Sequence, residues 1–432
     1  MIDRRAAPVI DGLGPDLPEL QKARALWQAN RFDESLQLFE GAVRKCPQNL
    51  VALIDASRAL GARFEIARAE VMLDKLVNAA SRKAQVLHLA GQSYRMIFRP
   101  EKAIDCFQRA LAADKNIPDA HLELAVLFER RHRLDEAIAA VQECLRISPA
   151  YHEANIIRGR LLRRKGDVSG AEQLFRDLTT NESVHPLVRA QAWTEIANAL
   201  DQQGEYRSAM QALLRCKESL LPMQDQVRHE SDTILRILRT LGESVTAEHF
   251  KRWAVAGRAF PQQRLAMLTS FPRSGTTLLE QVLDSHPQLV SSDEREAFAR
   301  DIFPAMWMAP ATPQPTVQAL DAAPVERIAT QRQRYLNYMS AALNQPINEQ
   351  VHLDKNPTHT LLIPAMLRLF PETKIIVALR DPRDVVLSCF FQYLPLNTNS
   401  VCFLTLERTA ERYTIDRAIW RRFRELLPPQ WI

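Results

Sequence analysis

Leu268-Thr269-Ser270-Phe271-Pro272-Arg273-Ser274-Gly275-Thr276-Thr277 carries a short apolar run into a cluster of glycine, hydroxyl and arginine at the start of a helix. Residues 264–271 have the length and β-forming content of a buried strand, and Leu278, Leu279, Val282 and Leu283 then recur at helical spacing. The loop between them is therefore predicted to lie at a helix N-terminus, where orphan N–H groups carry partial positive charge. Gly275 lets the backbone approach a ligand, Ser274, Thr276 and Thr277 add hydroxyl donors, and Arg273 adds a planar fixed charge. Such a cradle suits a phosphate or a sulfonate. A triphosphatase loop of the form G-x-x-x-x-G-K-[ST] fits poorly, because Ser270 replaces its first glycine and Thr276 stands where its lysine would be. Taken alone, the same residues could also be a Ser/Thr-capped turn before an ordinary helix.

A second element lies about a hundred residues on. Lys374-Ile375-Ile376-Val377-Ala378-Leu379 reads as a buried strand ending in Arg380-Asp381-Pro382-Arg383-Asp384, before an apolar helix over 385–391. Asp381 suits an N-cap, Pro382 the first helical position, and Asp384 the positive helix end. Arg380 thus leaves the carboxyl end of a strand, where open α/β sheets bind ligands. Ser388, two turns further, can face the same crevice. Val351-His352-Leu353-Asp354 is another strand-like segment, followed by Lys355, and Pro357 favours a turn into a helix over 361–370. Asp293, Glu294 and Glu296 stand together, and spacing does not choose a base among them. His359 is a second candidate base, with a structural histidine as the plainer reading.

Together these elements resemble sulfotransferases that use 3′-phosphoadenosine 5′-phosphosulfate as donor. Pro272 to Thr277 is similar to the loop that binds the 5′-phosphosulfate, and Arg380 with Ser388 resembles the pair that binds the 3′-phosphate. The loop arginine, Leu283-Asp284-Ser285-His286-Pro287, Asp293-Glu294 and Asp354-Lys355-Asn356-Pro357 resemble the tyrosylprotein sulfotransferase branch. The resemblance implies a P-loop-like parallel-sheet domain over 263–432, with Glu294 as general base and Lys355 and Arg273 as cations beside the transferred group. Arg273, Ser274, Gly275, Thr276, Thr277, Arg380 and Ser388 would hold the donor, and no metal is required. Relatives continue with another strand, helices and a basic glycine-containing segment, so the domain is expected to be incomplete beyond Ile432, with residues 430–432 opening a strand.

The first half is periodic. Ser35, Ala69, Ala103, Ala137 and Ala171 stand thirty-four residues apart, and Ala209 follows after an insertion of four. Four residues after each comes Phe39, Leu73, Phe107, Val141, Phe175 or Leu213; twelve before comes Ala23, Ser57, Gly91, Ala125, Gly159 or Ala197. The pattern resembles tetratricopeptide repeats, implying an all-α solenoid over 16–222 that binds a protein or peptide partner, or the acceptor. Residues 223–262 are expected as a helical connector, and Pro310 to Pro315 as a loop inside the second domain.

Composition agrees with a folded, water-exposed chain: 46% hydrophobic and 25% charged residues among 432 are ordinary globular content. The 56 basic and 51 acidic residues leave +5, and from 264 onward 18 basic face 17 acidic, so nucleic-acid binding is unsupported. The six cysteines form no C-x-x-C pair; Cys106, Cys144 and Cys216 read as small core residues, and the histidines lack ligand spacing. No apolar run reaches membrane-span length, and Met1-Ile2-Asp3-Arg4-Arg5 lacks a signal core, so cytoplasm is expected and no membrane partner. The acceptor stays open between a tyrosyl protein, a sugar and a small molecule. The competing reading is a repeat-based interaction protein whose sulfotransferase-like part is vestigial and inactive.

Overall fold

The small residues recurring every thirty-four positions occupy the fourth place of the second helix in each of six helix pairs. The computed structural model describes residues 16–29, 31–80, 82–308, 314–347, 349–428 and 431; the N-terminal residues, most of the Pro310 to Pro315 loop and all but Trp431 of the terminal segment expected as a strand lie outside these. The pairs are Pro18–Gln28 with Phe32–Lys45 (α1, α2), Leu50–Ala62 with Ile66–Ala80 (α3, α4), and Ala84–Met96 with Pro100–Ala113 (α5, α6). Pro118–Arg130 with Leu134–Ile147 (α7, α8), His152–Arg164 with Val168–Thr180 (α9, α10), and Pro186–Gln202 with Tyr206–Leu220 (α11, α12) complete the solenoid.

Side-chain size sets how closely each pair crosses. Gly91 lies on Phe107 and Gly159 on Phe175, so closely that a Cβ would stand 2.6 and 2.4 Å from the respective rings. In the first pair Ser35 does the same work with a hydrogen bond, its Oγ donating to the Ala23 carbonyl at 2.7 Å. The turn between the helices of each of the last five pairs needs a left-handed residue, supplied by Phe64, Phe98, His132, Gly166 and Gly204. Cys106, Cys144 and Cys216 are buried within this core, as their positions on the second helices require.

A second compact unit begins at Leu220. The stretch around 223–262 is helical, with Asp225–Ser244 (α13) and Ala247–Gly257 (α14), and it packs within this unit. Strands Leu265–Thr269 (β1), Leu289–Asp293 (β2), Val351–Lys355 (β3) and Lys374–Val377 (β4) form one all-parallel sheet in the order β2-β3-β1-β4. Thr276–Asp284 (α15) follows β1; Phe303–Trp307 (α16), Val317–Asp321 (α17) and Val325–Leu343 (α18) separate β2 from β3. Ile363–Leu369 (α19) precedes β4, and Pro382–Phe391 (α20) and Leu406–Leu426 (α21) follow it. α13 lies against α21, whose Arg422 donates to the Val245 carbonyl at 2.8 Å, and its Ser231 Oγ donates to the Thr398 carbonyl in the turn after α20 at 2.6 Å.

β1 is central and buried along its whole length, which explains its unbroken apolar run. It is shorter than the 264–271 expected, because Ser270 Oγ turns to the Ala378 carbonyl at 2.5 Å and the chain leaves the ladder. β4 likewise stops at Val377, and α20 starts at Pro382 as the Asp-Pro cap implied, Asp381 accepting from the Arg383 N–H at 2.9 Å. β2, half-exposed and ending in Ser-Ser-Asp, has no apolar run to mark it in the sequence. The chain passes from β1 to β2, returns to insert β3, then places β4 on the other side of β1, so four carboxyl ends open along one edge.

The tight crossing in the fifth repeat predicts that Gly159→Ala lowers solenoid stability by about 1–3 kcal/mol, the usual cost of overpacking. Urea denaturation followed by circular dichroism measures it, and adding Phe175→Leu should restore most of the loss. Full stability in the single variant would show that Phe175 does not fix the crossing.

Candidate functional site

At the carboxyl end of β1 the chain turns through residues 270–275 into α15, capped by Gly275 at φ 94°, with no atom within 4 Å of where its Cβ would stand. The first-turn N–H groups of α15 have no acceptor in their own helix and point into this open loop. Ser274 and Thr276 are buried, while Gly275 and Thr277 are exposed. Arg273 has φ 70°, a region costly for a side-chain-bearing residue, and its Nε donates to Ser388 Oγ at 3.1 Å. That bond ties the loop after β1 to the helix after β4. Below it Phe271 packs with Val385, Cys389, Cys402 and Phe403, and Cys389 Sγ donates to the Pro272 carbonyl at 3.2 Å.

Ser388 therefore meets the first loop, as its place on α20 suggested, but through Arg273. Arg380, in the loop before α20, is exposed and reaches Asp384 in the first turn of that helix at 3.3 Å. Arg383 stands out into solvent and pairs with Asp381 at 2.8 Å, whose carboxyl it draws down to about 2.

At the ends of β2 and β3 a second cluster forms. The parallel register sets Asp293 opposite Lys355, and the Glu294 N–H donates to the Lys355 carbonyl at 2.9 Å. Lys355, with 1% of its side chain exposed, donates from Nζ to Asp293 Oδ1 at 2.5 Å and Glu294 Oε1 at 2.9 Å, and stands 3.3 Å from Glu280 Oε2. Burial works against this ammonium, but Asp293 and Glu294 outweigh it and hold the pKa above the ordinary lysine value. Burial pushes the Glu280 carboxyl up against the pull of Lys355. Glu294 itself sits at φ 35°, so its backbone is bent out of the strand where its carboxylate turns to the lysine.

Asp293 keeps 72% of its side chain exposed while one oxygen is tied to Lys355, and Glu296 pairs instead with Arg300 at 2.9 Å. Glu280 was not singled out from the sequence at all. Its one signal is a carboxylate in the middle of an apolar helix, five residues after Gly275.

Behind the cluster the sheet carries buried polar groups. Tyr335 Oη donates to Asp354 Oδ2 at 2.7 Å, and burial raises the Asp354 pKa to about 6. His352 Nε2 and Ser292 Oγ are 2.9 Å apart, and burial lowers the His352 pKa to about 4. His359 is buried against Phe298, at a ring separation of 5.8 Å, with its pKa pushed down to about 3, which suits a structural ring better than a base. Among the described residues no group of three or more His, Cys, Asp or Glu could hold a metal ion, and no helix is long and apolar enough to cross a membrane.

Residues 266–432 match the family model described as the sulfotransferase family, and residues 88–152 and 156–218 match that of the tetratricopeptide repeat. The chain therefore joins tetratricopeptide repeats to a sulfotransferase-family domain. An uncharacterized protein of Aquifex aeolicus (strain VF5) is 25% identical over 263 residues, 60% of this chain and 33% of that protein. The match thus spans a third of that relative's length. Among solved structures the chain is similar to MamA, at 23% identity and TM-score 0.33 over 36% of this chain and 90% of that one. It is also similar to YrrB, a repeat protein with an unusual peptide-binding site, at 17% and 0.33 over 46% and 91%.

The buried histidines give the sheet unit an acid-sensitive term. An unfolded imidazole takes up its proton near 6.5, whereas His352 refuses it until about 4, so unfolding binds a proton between these values. Stability is therefore lost as pH falls from about 6.5 towards 4. In His352→Gln, which keeps a hydrogen-bonding group opposite Ser292, the urea midpoint should fall less steeply over that window; Asp354, which works in the opposite sense, is common to both proteins. Coincident pH profiles would remove His352 as the cause.

Proposed function

We propose that the second unit transfers a sulfuryl group from 3′-phosphoadenosine 5′-phosphosulfate to an acceptor hydroxyl or amine, and that the repeats bind a protein partner or the acceptor itself. One observation carries this reading: the parallel strands bring an open, arginine-bearing anion loop and a lysine–carboxylate cluster to the same sheet edge. The donor set fits an anhydride of phosphate and sulfate, with main-chain N–H groups, hydroxyls and a guanidinium at residues 273–277 and further guanidinium groups at Arg380 and Arg383. Bound there, the donor would supply an activated sulfuryl group with a good leaving phosphate.

The chain's own residues would do the rest. Glu294 is held in place by Lys355 through one oxygen and can accept the acceptor's proton on the other. Lys355 offers a cation for charge developing on the departing phosphate, and Asp293 and Glu280 keep that cation charged despite burial. Arg273 neutralises the transferred group, and Ser388 steadies Arg273 until a ligand competes for it. Asp293-Glu294 and Asp354-Lys355-Asn356-Pro357 favour the tyrosylprotein branch, which makes a tyrosyl side chain the first acceptor to test, ahead of sugars and small phenols.

Calorimetric titration with adenosine 3′,5′-bisphosphate tests the donor site. Binding should exceed that of AMP, and Arg380→Ala should cost about 1.5–3 kcal/mol for a lost charge-assisted hydrogen bond. Equal affinity for the bisphosphate and AMP would sink the 3′-phosphate assignment. For the chemistry, Glu294→Gln should keep bisphosphate binding yet slow transfer of labelled sulfate by roughly 10²–10⁴-fold. Undiminished transfer would assign the base elsewhere.

A further inference from the structure

Carboxylates and guanidinium groups are distributed unequally on one face of the solenoid. First helices of neighbouring repeats pack on one another, α3 on α5, α7 on α9 and α9 on α11, while no two successive second helices pack to that extent. The layer of first helices is therefore the inner, concave side of the stack. On it Asp55 pairs with Arg24 at 2.6 Å, Glu123 with Arg95 at 3.1 Å, Glu129 with Arg160 at 2.8 Å, and Glu195 with Arg163 at 2.7 Å, each bond crossing from one repeat to the next.

In every pair the carboxylate lies deeper than its partner: 10% against 33% exposed, 20% against 43%, 6% against 33%, and 12% against 26%. Arg130 stands two helical turns after Glu123 on the same face of α7, and Arg164 approaches Glu129 at 3.8 Å. From α5 to α11, five guanidinium groups thus surround three carboxylates. Asp119, near Glu123, accepts from the Tyr151 hydroxyl. Among the described residues the Arg160 Nε is a buried donor that meets no acceptor. Glu123, Glu129 and Glu195 lie underneath, holding arginine forks that face outward already ordered, which lowers the entropy lost when an anion binds.

We propose that this concave face captures an extended acidic peptide, its carboxylates seated on Arg95, Arg130, Arg160, Arg163 and Arg164. The proposal rests on the reading of the solenoid as a protein-binding module and is independent of the donor chemistry. Helices pack about 8–10 Å apart and an extended chain rises about 3.3 Å per residue, so an acidic side chain at roughly every third position meets one repeat each.

The test is fluorescence anisotropy on the full chain with a labelled peptide of about a dozen residues bearing glutamate at every third position, against its lysine counterpart. The glutamate peptide should bind, the lysine peptide should not, and affinity should fall as salt rises. Arg130→Ala and Arg164→Ala leave Glu123 and Glu129 paired with Arg95 and Arg160, so the fold is kept and circular dichroism should be unchanged. Each should weaken binding about tenfold, the effect of one charge-assisted hydrogen bond. Equal binding of both peptides, wild-type affinity in both variants, or tighter binding of an RNA oligonucleotide or sulfated polysaccharide would overturn the proposal. Binding of neither peptide would overturn it too, while bisphosphate titration decides the donor reading separately.

Discussion

A single buried ammonium organises the carboxyl edge of the parallel sheet. Lys355 is almost wholly removed from water, which costs several kcal/mol for an isolated charge, and it is tolerated only because three carboxylates from two elements converge on it. Asp293 and Glu294 come from the end of β2 and Glu280 from α15, so the lysine on β3 fixes both neighbours at once. Removing any one partner leaves the others with an altered charge balance. The cluster is therefore a geometric constraint as much as an electrostatic one, and it places Glu294 beside the cation with one oxygen still open.

The loop between β1 and α15 is held by a different kind of contact. Its floor is hydrophobic, Phe271 on Val385, Cys389 and Phe403, and its rim is a single polar tie from Arg273 to Ser388. Arg273 and Glu294 both occupy left-handed backbone conformations that cost energy and that the surrounding packing must sustain. Left-handed residues also occur in the repeat turns, where they only end helices, so strain acquires meaning here from its company. In the sheet unit it coincides with side chains that converge at strand ends.

The solenoid solves a separate problem, how to stack helix pairs with no common core. Small residues at two fixed places let each pair cross closely, as Gly91 under Phe107 and Gly159 under Phe175 demonstrate. Buried carboxylates then bridge neighbouring repeats through arginine, which gives the stack cross-repeat specificity in addition to apolar contact. Because each carboxylate lies below its guanidinium partner, the same bonds that join repeats also set the charge of the face they leave exposed.

The repeat spacing, the two strand–loop–helix elements and the glycine-capped loop after β1 were legible in the sequence, because each depends on local chemistry: apolar periodicity, a glycine at a helix start, an Asp-Pro cap. Ser388 could be placed by helical spacing alone, and Glu294 and Lys355 by resemblance. The sequence left β2 unmarked, since a half-exposed strand needs no apolar run, and it did not separate Asp293 from Glu296. Only the tertiary structure paired Lys355 with Asp293 and Glu280, turned Ser388 to Arg273 and Arg380 to Asp384, and sank the repeat carboxylates beneath their arginines. The physical reason is that burial of a charge and choice of its partner depend on parallel register and helix docking between residues far apart in the chain, which no local pattern encodes.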